Sequence, residues 1–168
     1  VSAGYRIQTG NIITPMLLKM LSEYGYTNTA WRLMTRDGYP SWGYMIANGA
    51  TTIWERFELK KHGGMNSHNH PMYAAARIWL YESLAGFKTI IPNEEYGADI
   101  RMPSELLYFE IEIPISNSSI YIKCEKKYGK LCTFTKVPFG VKLHLKCGEK
   151  MFIHTAGFHT ANTKIDGD

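Results

Sequence analysis

Cysteine is scarce in this 168-residue chain, and what there is excludes two common frameworks. Cys124, Cys132 and Cys147 all lie in the second half, odd in number and with no CxxC spacing. Neither a disulfide scaffold nor a thiolate zinc site fits that pattern, so buried, reduced thiols are expected. Charge is equally unconcentrated. Nineteen Lys and Arg stand against fifteen Asp and Glu, a formal +4, and the basic residues are scattered apart from Lys60-Lys61 and Lys126-Lys127. A nucleic-acid footprint needs a denser stripe, so no nucleic-acid partner is expected. There is no uninterrupted apolar run of about 18 residues and no basic-then-apolar leader, so neither a membrane span nor a signal peptide is visible. The first residues, "VSAGYR", lack a Met and read as an internal point of a longer polypeptide. A cytoplasmic location is the expectation, with secretion left open because a signal could lie upstream. No repeat of fixed sequence period is present.

What is present is apolar material, 45% of the chain, enough for a sizeable core. It is arranged with two different periods. From Asn11 to about Phe87 the spacing is helical. "NIITPMLLKMLSEYGYT" puts Met16, Leu17, Met20, Leu21 and Tyr24 on one broad face, with Pro15 near the first turn and Gly25 as a stop. "TNTAWRLMTRDGYP" predicts a helix capped by Thr27 or Asn28 and ending at Asp37-Gly38. A short third helix is expected in "SWGYMIANG", and the longest over about 69–85 in "NHPMYAAARIWLYESLAG". After Pro92 the period becomes two. "LLYFEIEIPI", "SIYIKCEKK", "KLCTFTKVP", "VKLHLKCG" and "KMFIHTA" read as five or so short antiparallel strands, with the module spanning about 105–156. The chain therefore divides into a helical part, 1–91, and an antiparallel β-sandwich, 92–168, with "IPNEEYGADIRMP" crossing between them.

Candidate chemistry gathers in "TTIWERFELKKHGGMNSHNHP", residues 51–71. Taken singly these residues are ordinary: Glu55 and Glu58 flank Arg56, and His62 and His68 sit among loop residues. His62, His68 and His70 are possible nitrogen ligands. The i, i+2 spacing at a helix entry aims two of them apart, and no cysteine is near, so no metal is expected.

The order of motifs is more informative. "QTGNIITPMLL", "GYTNTAWRLM", "GYPSWGYMIANGATTIWERF", "GMNSHNHPMYAAARIWLYESLAG" and the β-rich tail closely resemble the C-terminal part of bacterial α-L-rhamnosidases over nearly all of residues 4–160. These are inverting glycoside hydrolases. The resemblance implies a fold in which a helical segment of an (α/α)6 barrel is followed by a small antiparallel β-sandwich. It also implies that Glu55 is the general base that activates water, and that His70 lies in the sugar pocket. An inverting enzyme needs a carboxylate to deprotonate water opposite a second carboxyl about 6.5–9.5 Å away. A neutral imidazole can donate to sugar hydroxyls. Trp42 and Trp54 either face the C–H side of a deoxysugar or belong to the barrel core; Trp31 and Trp79 read as core. Asn66 and Asn69 are expected to cap the following helix. Gly63-Gly64 permit a tight reversal, which predicts Glu55 and His70 on one side of the helical part, facing a cavity.

Two departures from the family pattern stand out. Phe57 replaces a second Trp of "WERW", and the loop before "MNS" shrinks to "ELKKHGG". The family's general acid lies N-terminal to the segment, and Glu82, Glu94 and Glu95 do not substitute for it. The expected partners are a rhamnosyl-containing glycoside or polysaccharide, together with the missing N-terminal part of the enzyme, another subunit or self-association to cover open helix faces. No cofactor is expected. The alternative reading is a non-catalytic carbohydrate-binding or structural module, and a degenerate homologue used only for interaction is a third.

Overall fold

The computed structural model describes residues 4–59 and 67–164. The chain forms two compact units, Val1–Leu80 and Tyr81–Asp168.

In the first unit the apolar periodicity produces helices α1 (Thr14–Glu23), α2 (Thr27–Met34), α3 (Trp42–Ala47), α4 (Pro71–Ala74) and α5 (Arg77–Trp79). Pro15 falls in the first turn of α1, where an amide donor has no intrahelical partner to lose. The face of α1 that packs inward differs from the one expected. Thr14, Leu18 and Ser22 are buried, whereas Met16, Met20 and Tyr24 are 57%, 52% and 74% exposed. The reason is polar. Ser22 Oγ accepts the buried indole N–H of Trp79 at 2.8 Å, and the Thr14 hydroxyl donates to the Gly10 carbonyl at 2.8 Å. Those bonds satisfy two side chains that periodicity alone would have turned to water.

Helix α2 is preceded by Tyr26, with no side-chain cap, so neither Thr27 nor Asn28 has the expected role, and it ends at Met34 rather than Asp37-Gly38. Ser41 caps α3 by accepting from the Tyr44 N–H at 2.9 Å. The longest expected helix is broken: α4 and α5 are followed by a π-helical turn, Leu80–Leu84. No helix among the described residues is long and apolar enough to cross a membrane.

The second unit is built from two four-stranded sheets. One has the order β1 (Lys88–Ile91), β2 (Glu95–Ile100), β6 (Lys142–Cys147), β7 (Lys150–His154); the other runs β3 (Tyr108–Ile115), β4 (Ser118–Lys127), β5 (Lys130–Val137), β8 (Gly157–Lys164). Alternating residues of both sheets, among them Tyr96, Ile100, Ile113, Ile120, Ile122, Leu143 and Leu145, form one core. Strands β3 to β7 match the five alternating segments, while β1, β2 and β8 were not foreseen. The sandwich is antiparallel as expected except at one pairing: β2 and β6 run parallel, Gly97 opposite His144. That pairing is possible because the chain leaves β2, completes β3 to β5 in the other sheet and only then returns. Before β2, Gly86 has φ +60°, and a Cβ there would lie 2.1 Å from the Asp99 carbonyl oxygen. All three cysteines are unpaired: Cys124 and Cys147 are buried and Cys132 is half-buried. Burial pushes the Cys147 thiol up to about 11 and the Cys124 thiol higher still, as expected for inert core thiols.

Candidate active site

The segment with the candidate residues consists of two limbs held side by side. On one lie Thr52 to Glu55; on the other, Ser67 to His70. The Glu55 N–H donates to the Ser67 carbonyl at 2.9 Å and the His70 N–H to the Ile53 carbonyl at 2.8 Å. The Thr52 hydroxyl donates to the His68 carbonyl. Glu55 and His70 are thus carried on adjacent, cross-linked limbs. Gly63 and Gly64, with His62 and Asn66, lie outside the described residues.

Glu55 is half-buried, and its carboxylate is fixed by backbone: the Ser67 N–H donates to Oε2 at 3.0 Å. With the bond from the Glu55 N–H to the Ser67 carbonyl, the two residues embrace reciprocally. Asn11 adds a third restraint, donating its side-chain N–H to the Glu55 carbonyl at 3.3 Å. A charge-assisted bond from a main-chain amide holds a carboxylate in place without supplying a competing cation.

His70 is half-buried and caps α4. Its Nδ1 accepts the Met72 N–H at 3.4 Å, which places the ring proton on Nε2 and makes that nitrogen a donor. The cap expected of Asn69 therefore falls to His70, one residue later. Asn69 instead closes a small turn, in which its N–H donates to Ser67 Oγ at 3.2 Å.

The aromatic residues divide. Trp54 is 4% exposed and stacks on the His68 ring, centroids 5.0 Å apart and planes at 27°. Trp42 is half-buried and meets Phe57 and Tyr73 edge-on, at 5.5 and 6.1 Å. The Phe57 and Tyr73 ring centres lie 4.2 Å apart, so Phe57 belongs to a packed aromatic cluster with Trp42 and Tyr73. Burial, with Glu58 nearby, raises the Tyr73 phenol above its ordinary range and keeps it a neutral donor. Among the described residues no group of three or more His, Cys, Asp or Glu side chains could hold a metal ion. Sequence reasoning overlooked Ser67 and Asn11. Ser67 sits in the "MNS" motif and was in view, but its contribution is a main-chain N–H, which its side chain does not advertise. Asn11 is 44 residues away, and nothing local signals it.

The sequence profile of the bacterial alpha-L-rhamnosidase 6 hairpin glycosidase domain matches residues 1–84. The chain belongs to that family. It is 33% identical over 147 residues to an alpha-L-rhamnosidase of Alteromonas sp. (strain LOR), covering 83% of this chain and 16% of that protein. An alpha-L-rhamnosidase of Streptomyces avermitilis is 41% identical over 88 residues, 49% of this chain and 8% of the relative. Among solved structures, the alpha-L-rhamnosidase from Dictyoglumus thermophilum superposes with a TM-score of 0.86 at 24% identity, over 98% of this chain and 22% of that one. The S. avermitilis enzyme complexed with L-rhamnose gives 0.83 at 23%, over 97% and 18%. These two structural likenesses establish the fold, including the C-terminal β-sandwich region. The chain spans less than a quarter of the length of each of these relatives.

Proposed function

We propose that this chain is the C-terminal portion of an α-L-rhamnosidase-like glycosidase that removes terminal α-L-rhamnosyl groups with inversion, and that Glu55 is its general base. The observation that carries the reading is the reciprocal bonding of Glu55 and Ser67. With Oε2 held by the Ser67 amide, Oε1 is the oxygen assigned to the water, and the carboxylate is oriented before substrate arrives. His70, with its proton on Nε2, donates to a sugar hydroxyl. Trp42 retains exposed ring surface and is assigned to the C–H face of the deoxysugar. Trp54, covered by His68, serves as a substrate-pocket wall through that histidine.

The general acid is assigned to the part of the enzyme N-terminal to this segment, so the chain alone is expected to be inactive. Ile12, Met16 and Met20, all exposed, form an apolar surface in and just before α1 that the rest of the barrel, another subunit or a second copy would cover.

The test is kinetic. The chain alone should leave an aryl α-L-rhamnoside intact, while the polypeptide that includes the upstream sequence should hydrolyse it. In that longer protein Glu55→Gln should lower kcat by about 10²–10⁴-fold, because an amide cannot take the proton. Azide should partly restore turnover in Glu55→Ala and yield the inverted glycosyl azide. Wild-type turnover in Glu55→Gln would refute the assignment, and rhamnose binding without hydrolysis by the longer protein would favour the binding-module alternative.

A further inference from the structure

The sheet β3-β4-β5-β8 has an outer face unlike an ordinary solvated sheet. Strand alternation brings Tyr108, Tyr121, Phe134 and Phe158, one from each strand, to the side opposite the core. Tyr121 meets Phe134 edge-on at 6.1 Å, and Phe134 stacks with Phe158 at 5.8 Å and 26°, so three rings run in a line across three strands. Phe158 is 69% exposed. At the near end Glu110 Oε2 accepts from both the Tyr108 and Tyr121 hydroxyls at 2.6 Å, which fixes those two rings. Beside the line lies a groove of about 310 Å³, bordered among others by Lys123, Glu125, Phe134, Thr160 and Asn162.

Polar groups share the rows with the rings. Phe134 has Lys123 across from it on β4 and Thr160 on β8, and Phe158 faces Lys136. The ammonium of Lys123 lies 5.3 Å from the Tyr108 ring centre and that of Lys136 lies 5.9 Å from Phe158. Among the described residues neither lysine forms an ion pair within 4.0 Å. Lys123 lies across from Glu110, whose carboxylate also accepts from two tyrosine hydroxyls, so the face sets both donors and acceptors beside its rings. A pyranose offers C–H bonds to a ring face and hydroxyls at its edge, which matches rings alternating with ammonium, hydroxyl and amide groups.

We propose that this face is a second saccharide-binding site, separate from the Glu55 limbs, in which sugar rings of a glycan stack on Phe158 and Phe134 while Lys123, Lys136, Thr160 and Asn162 bind their oxygens. That the ligand is a saccharide rests on the glycosidase reading above; the site itself has no part in bond cleavage. It would hold a polysaccharide near the enzyme, raising the local concentration of chain ends.

The test uses this chain by affinity electrophoresis in gels containing rhamnogalacturonan, and by mapping the NMR signals that shift when methyl α-L-rhamnoside is added. Wild type should be retarded, with shifts centred on Phe134, Phe158 and Thr160. Phe158→Ala, a change at an exposed position, should weaken binding about fivefold or more, the loss expected for an aromatic anchor. Phe158→Trp should bind at least as well as wild type, and Phe139→Ala, at a residue 95% exposed and outside the four strands, should bind unchanged. The inference is overturned if wild type is not retarded, if Phe158→Ala binds like wild type, or if the shifts map elsewhere. It is likewise overturned if sedimentation finds a dimer that Phe158→Ala dissociates, since the face would then join two copies.

Discussion

Glu55 and His70 each depend on a backbone amide for their orientation, and the consequences of substitution follow from which atom is engaged. His70 has two roles on two nitrogens: Nδ1 caps α4 by accepting from Met72, and Nε2 is left to donate. Asn preserves a cap acceptor but cannot place a donor where Nε2 lies. His70→Asn should therefore retain most of the unfolding free energy of the chain in urea, whereas His70→Ala should lose about 1 kcal/mol. Both should impair rhamnoside turnover in the longer polypeptide. A larger stability loss in the Asn variant than in the Ala variant would dissociate the cap from the imidazole. The resemblance drew attention to both residues by type and order alone; the amides of Ser67 and Met72 became visible only when the limbs were in place, because a main-chain donor is the same whatever residue carries it.

At the scale of elements, α1 shows how a helix is turned by two hydroxyls. Its periodicity favours the face with Met16, Met20 and Tyr24, yet Thr14, Leu18 and Ser22 are the residues buried. The choice goes to the face with Ser22 because the Trp79 indole N–H is buried and needs an acceptor. Ser22→Ala should leave that donor unsatisfied and cost about 1–3 kcal/mol, measured by urea denaturation. The double variant Ser22→Ala, Trp79→Phe should lose less than the sum of its two single changes, since the stranded N–H is then absent. Strict additivity would mean that the bond carries no coupling. Strands β1, β2 and β8 escaped notice for a comparable reason. In β8 the buried positions are Ala161 and Thr163 and an exposed one is Phe158, which inverts the usual apolar-in pattern. Strand β2 contains Gly97 between Glu95 and Asp99, residues that strands disfavour, and it forms because β6 pairs along its whole length.

At the scale of the whole sandwich, β7 and β8 meet through two histidines. His154 is buried; its Nδ1 lies 2.8 Å from the Thr135 hydroxyl, and its ring stacks on His159 with centroids 4.5 Å apart. The His159 ring nitrogen Nε2 lies 2.7 Å from the Thr155 carbonyl. Burial, and secondarily His159, lowers the pKa of His154 below its ordinary value. Between that lowered value and the unfolded value near about 6.5, the unfolded chain binds more protons than the folded one. Stability should accordingly fall as pH drops from about 6.5 through this window and lose nothing more from His154 once the folded form is also protonated. The urea midpoint of wild type should decrease between pH 7 and 5, and His154→Gln should flatten that decrease. An equal slope in the variant would place the pH dependence elsewhere.

The sequence by itself determined the change from helical to alternating period, five of the eight strands among the described residues, the thiols without partners and the family, because these rest on local spacing and on residue order. Tertiary structure decided the inward face of α1, the parallel pairing of β2 with β6, the cap at His70 and the amide that orients Glu55. Each of those is a choice among locally equivalent options, settled by where a distant segment brings a donor or an acceptor. The line of rings on β4, β5 and β8 shows the same division: alternation keeps Tyr121 and Phe134 each on one face of its strand, but only the pairing of strands sets them beside one another and beside Phe158.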